Sequence, residues 1–175
     1  MKIVINGGHY PGLDSGAVGA SGLQEAVVAR DIMQKTAKYL RAVGYEVLEV
    51  QENELYQITD ASNNFGADLF ASIHCNAAAS MEAKGTETYC YKFGGSSERL
   101  ANCIQNQIVN SIGTGDRGIK EGNFAVVRDT DCPAVLVETA FISNPGDEAM
   151  LANEDKRDQF AAAIARGITD YVGGM

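Results

Sequence analysis

Residues Ala67–Ala77, ADLFASIHCNA, decide the fold. The segment Leu69-Phe70-Ala71-Ser72-Ile73 carries no charge and ends at His74. An unbroken apolar run, as opposed to an alternating one, marks a strand covered on both faces. Two other runs have the same character. Ile3-Val4-Ile5 breaks into Gly7-Gly8-His9, and Ala134-Val135-Leu136-Val137 closes on Glu138. The chain has only two histidines in 175 residues, and both stand just past or at the end of such a run.

Outward from these runs, strand-like and helix-like patterns alternate. Strands are expected at 2–6, 45–50, 68–74, 85–91 and 133–138. Helices are expected at 22–43, 54–65, 97–112 and 154–172. The first helix has an apolar stripe at Val28, Ala29, Ile32, Met33, Ala37 and Leu40, with Gly44 as its C-terminal cap. Residues 113–122, rich in glycine and charge, read as a loop leading to Phe124–Arg128. This order predicts an α/β fold: a single twisted, largely parallel (mixed) sheet sandwiched by helices. With no repeat and no linker, residues 1–175 read as one domain.

Composition removes several function classes. A net charge of −9 opposes nucleic-acid binding and docking on anionic lipid. No apolar stretch is long enough to span a membrane. The N-terminus lacks the long apolar region of a signal peptide. Four cysteines at 75, 90, 103 and 132 show no CxxC spacing, so neither a structural zinc site nor a disulfide scaffold is expected. On a strand, Cys75 points away from the face that carries His74.

In an open α/β sheet, ligands bind beyond the carboxyl ends of the strands. If the three apolar strands are parallel neighbours, His9, His74 and Glu138 emerge at one edge. Glu25 shares the core-facing stripe of the first helix. A carboxylate there needs a compensating charge. Lys and Arg are absent from residues 3–29, so a metal ion would supply that charge. Two histidines and a glutamate with one open position form a ligand set for catalytic zinc. Glu138 is then available as general base. Each residue alone has a plainer reading, as a hydrogen-bonded imidazole, a helix-dipole partner or a solvated strand end. Six glycines between residues 7 and 22 fit a loop that approaches a ligand closely, but not a nucleotide-binding motif.

Four stretches in order resemble the type-3 group of zinc-dependent N-acetylmuramoyl-L-alanine amidases of bacterial autolysins and phage endolysins. These are IVINGGHYPGLDSGAVGASGLQE, ADLFASIHCNA, KGTETYCY and DRGIKEGNFAVVRDTDCPAVLVETAFISNPGDEAML. The resemblance implies one Zn2+ held by His9, Glu25 and His74, with Glu138 as catalytic acid/base. It implies hydrolysis of the amide between N-acetylmuramic acid and L-alanine in peptidoglycan, at the bacterial cell wall on its extracellular or periplasmic side. It also gives Asn76 a part in orienting substrate or shaping the site. The chain departs from the family at Asn6-Gly7, where Asp-Pro is usual. It also lacks arginines after the second strand and carries Thr139-Ala140-Phe141 after Glu138. Competing readings are a related zinc exopeptidase and a catalytically silent peptidoglycan-binding domain.

Overall fold

A computed structural model of the chain describes residues 1–174. The chain runs β1 (Lys2–Gly7), α1 (Glu25–Val43), β2 (Glu46–Val50), α2 (Leu55–Phe65), β3 (Leu69–Asn76) and β4 (Thr86–Cys90). It continues with α3 (Ser96–Ile112), β5 (Asp116–Glu121), α4 (Ala125–Arg128), β6 (Ala134–Phe141), α5 (Pro145–Ala152) and α6 (Glu154–Gly173). The six strands form one sheet in the order β2-β1-β3-β6-β4-β5. Pairing is parallel except between β4 and β6, which run antiparallel. The mixed, largely parallel sheet between helices is the architecture read from the sequence.

The three apolar runs are adjacent central strands, β1, β3 and β6. Ile3, Val4 and Ile5 are fully buried because both sheet faces are covered. Side chains alternate between the faces. Ile3, Ile5, Leu69, Ala71, Ile73, Val135 and Val137 join the core beneath α1, α3 and α6. Val4, Phe70, Ala134 and Leu136 join a smaller core beneath α2 and α4. Among the described residues, the first core holds 26 buried members and the second 8.

That asymmetry positions the site. On the thinly covered face, each central strand starts apolar and ends polar: Val4 then Asn6, Phe70 then Ser72 and His74, Leu136 then Glu138. His74 and Glu138 are register partners across β3 and β6, so their Cα atoms lie side by side. Cys75 lies on the thickly covered face, as its parity requires.

Two elements differ from the sequence reading. The expected loop 113–122 contains the edge strand β5. Its polar sequence, DRGIKE, gives no burial signal, because only pairing to β4 makes it a strand. Residues 145–152 form α5, capped by Asn144, whose side chain accepts from the amides of Gly146 and Asp147, with Pro145 in the first turn. Its low amphipathicity hides it from a periodicity search.

Candidate functional site

β1 ends at Gly7, and the next residues fold back over the sheet edge. The backbone N–H of Gly8 donates to the carbonyl of Ile73, which carries the β1–β3 ladder one step further. Any side chain at Gly8 would overlap the His74 ring, so this position brings backbone against imidazole. His9 adopts a left-handed backbone, φ 59°, the only described non-glycine residue to do so. Such strained conformations concentrate at functional sites. The turn aims the His9 ring at Glu25, the first residue of α1.

Glu25 is buried and is the hub of the site. Its Oε1 lies 2.9 Å from His74 Nδ1 and accepts from the Cys75 amide at 3.0 Å. Its Oε2 lies 3.2 Å from His9 Nε2 and accepts from the Ala17 amide at 2.9 Å. Ligand atoms of His9, Glu25 and His74 all fall within 4.8 Å of one another. A Cβ at Gly16 would collide with both His9 and Glu25, and φ +63° there also favours glycine. Burial pushes the Glu25 carboxyl up, but the hydrogen bonds from His74 and His9 outweigh it and hold it well below the usual carboxylate range.

Asp14 grips the far side of His9, with Oδ2 2.7 Å from Nδ1. That contact fixes the ring's orientation and leaves Nε2 to face Glu25. The His9 pKa is raised to about 9, chiefly by the Glu25 hydrogen bond and then by Asp14, against a desolvation penalty. Sequence reasoning missed Asp14. Its one signal was an acid five residues after the histidine, inside the glycine-rich loop. Asn6, where the family usually has aspartate, makes no bond to either imidazole. It donates to the carbonyls of Gly7 and Val50 and accepts from the Ser72 hydroxyl, so a neutral amide is well satisfied there. Gln51, at one of the positions after the second strand that lack arginine, donates to the carbonyls of Gly8 and Ala26. It thereby ties the His9 turn to α1.

Glu138 differs from the other acids. Its Oε2 is buried with no hydrogen-bond partner among the described residues. Desolvation raises its pKa to about 7, with His74 opposing and Glu25 and Glu87 reinforcing the shift. An unpaired buried carboxylate beside a polar cluster is a signature of acid/base work.

Asn76 uses both polar ends within the protein. Its Nδ2 donates to Glu87 Oε1 at 2.8 Å, and its Oδ1 accepts from the Ala77 amide at 2.8 Å. Glu87 is the register partner of Glu138 across β4 and β6. It also accepts from Tyr89 at 2.6 Å, from Arg117 at 2.6 Å and from Lys120. Burial raises its pKa, yet these donors hold it down at about 2. Neither Glu87 nor its further partners Tyr89, Arg117 and Lys120 stood out in the sequence.

A cleft of about 310 Å³ opens beside the cluster on the thinly covered face. His9, His74 and Asn6 line its polar end, and Leu55, Ile58, Phe124 and Val126 line its apolar wall.

A family model described as N-acetylmuramoyl-L-alanine amidase matches residues 3–170. The chain belongs to this amidase family. It is 39% identical over 176 residues to the N-acetylmuramoyl-L-alanine amidase LytC of Bacillus subtilis, covering 97% of this chain but 35% of LytC. The solved amidase AmiC2 of Nostoc punctiforme superposes with a TM-score of 0.93 at 32% identity, covering 99% of this chain and 97% of that one. The catalytic domain of the amidase CwlV from Bacillus (Paenibacillus) polymyxa gives 0.92 at 36% identity, covering 98% of each chain. The family match therefore spans all six strands apart from Lys2, and with them the positions of His9, Glu25, His74, Asn76 and Glu138. Among the described residues, no helix is long and apolar enough to cross a membrane.

Proposed function

We propose that residues 1–175 form a catalytic unit. It hydrolyses the amide between N-acetylmuramic acid and L-alanine in cell-wall peptidoglycan, with His9, Glu25 and His74 holding one zinc ion. The observation that carries this reading is a buried carboxylate held between two imidazoles, one strand away from an unpaired glutamate.

The donor set fits the ion. Two imidazoles and a carboxylate are borderline-to-hard ligands suited to zinc, and three protein ligands leave a position for the reaction. His9 and His74 approach Glu25 at 3.2 and 2.9 Å, one at each carboxylate oxygen, and one ligand atom from each of the three residues lies within 4.8 Å of the others, so the set could close around a single ion. When bound, zinc supplies Lewis acidity and makes a hydroxide nucleophile accessible near neutral pH.

The chain's own residues do the rest. Asp14 holds His9 in the orientation that presents Nε2. Glu138 Oε2, free of internal bonds, is the group to take a proton from the attacking water and deliver it to the leaving nitrogen. A pKa of about 7 suits both transfers, because neither protonation state is costly at neutral pH. The cleft walled by Leu55 and Phe124 offers an apolar surface on one side of the reacting centre. Asn76 anchors Glu87, the register neighbour of Glu138 on β4.

Digestion of purified peptidoglycan, read by mass spectrometry, tests the reaction. New L-alanine amino termini with intact glycan are expected. They should vanish on chelation and return with added zinc. New reducing sugar ends, or new peptide termini within the stem, would replace this reading with a glycosidase or an exopeptidase.

A further inference from the structure

The surroundings of the metal cluster are electrically lopsided. Asp14 and Glu52 stand on the cleft side, and no lysine or arginine lines the cleft. On the β4–β5 side, Arg117 and Lys120 share the single carboxylate of Glu87. Two cations thus converge on one anion, in a chain whose net charge is −9. The buried Glu87 fixes both cations from below, while their side chains remain 37% and 35% exposed. Arg117 also stacks 4.7 Å over the Phe141 ring, which leaves it little freedom. Lys120 sits 5.8 Å over Tyr89, and Tyr89 packs edge-on against Phe124 of the cleft wall. Glu87 and Glu138 are register partners, so this cationic pair flanks the reacting centre.

A substrate cut at the lactyl–alanine amide has two unlike arms. The glycan arm is made of neutral N-acetyl sugars, and the peptide arm carries carboxylates. We propose that Arg117 and Lys120 form a carboxylate subsite for the peptide arm, so that the stem peptide crosses β4 and β5 while the glycan arm follows the Leu55–Phe124 cleft. This deepens the amidase reading and rests on it. Preset guanidinium and ammonium groups recognise carboxylates with charge-assisted hydrogen bonds. The acidic residues of the cleft repel the same groups, which fixes the substrate's direction.

The test uses zinc-loaded Glu138→Gln protein and calorimetric titration with two probes. These are N-acetylmuramoyl-L-alanyl-D-glutamate and its diamide, which lacks every peptide carboxylate. The acid should bind about 5–20-fold tighter than the diamide, as expected for charge-assisted contacts. Adding Lys120→Gln should bring that ratio towards one, and Lys120→Arg should preserve it. Equal binding of acid and diamide overturns the proposal, and this comparison needs no change at the cationic pair. A Lys120→Gln change that weakens both probes alike also overturns it. Turnover of both probes by the unaltered protein is measured separately. Cleavage of neither defeats the amidase reading, while the binding ratio judges the subsite by itself.

Discussion

The two faces of the sheet solve different problems with the same strands. Beneath α1, α3 and α6, side chains such as Ile104, Phe160 and Ile164 are fully buried and apolar. Beneath α2 and α4, the apolar layer stops short, and the same three strands finish in Asn6, Ser72, His74 and Glu138. One face accumulates stability. The other carries two costly features, an orphaned carboxylate oxygen and a left-handed histidine. A thick core on one side lets the thin side hold groups that a self-sufficient core would reject.

Paired substitutions probe this division most strongly. Glu138→Gln on the thin face should lower kcat by about 10²–10⁴-fold, the usual worth of a general acid/base, with zinc content unchanged by metal analysis. Ile164→Ala on the thick face should cost about 2–5 kcal/mol in urea unfolding, with kcat per folded molecule unchanged. An Ile164→Ala protein that is stable but slow would break the separation. A smaller effect is expected at Asp14. Asp14→Asn keeps the shape but weakens the grip on His9, and zinc affinity in competition titrations should fall about 10–100-fold. Unaltered affinity would mean the ring is held by its backbone alone.

The smallest effect is a pH dependence in the metal-free protein. His9 has its folded pKa raised from 6.5 to about 9, so its contribution is complete below pH 6.5 and is lost as pH rises through about 9. Glu138 is raised from 4.5 to about 7, so the folded form keeps a proton that the unfolded chain releases. Its contribution is complete below pH 4.5 and disappears by about pH 7. Denaturant midpoints should therefore decline across both windows, and Glu138→Gln should remove only the lower one. Zinc binding should release a proton below about pH 9, measurable by titration in buffers of different ionisation heat.

The sequence made the central sheet and the His9–Glu25–His74 cluster legible for one reason: burial leaves a pattern. Unbroken apolar runs reported β1, β3 and β6, and their last residues reported the site. Glu25 was visible because an acid on an apolar stripe is conspicuous. The helix cap at Gly44 was visible because a left-handed position, φ 100°, favours glycine. β5 was hidden, since an edge strand of DRGIKE earns its conformation from a partner distant in sequence. The Glu87 network was hidden for the same reason. Its members come from β3, β4 and β5, and nothing local to Glu87 announces Arg117 or Lys120. Asp14 lay within a few residues of His9, but the turn that joins them depends on loop geometry and not on periodicity.

The reversal of β4 has an outcome of its own. Because that strand starts at the sheet edge where β3 finishes, the connection between Ala77 and Gly85 turns around at that edge, tied down by Ser143 at the Ala78 amide, by Asn144 at the Met81 carbonyl and by Arg117 of β5 at the Lys84 carbonyl. Extra residues spliced there would extend that rim while every ladder stayed in register. The length of that connection can therefore change the rim at the carboxyl ends of β3 and β6 and leave the sheet beneath as it is.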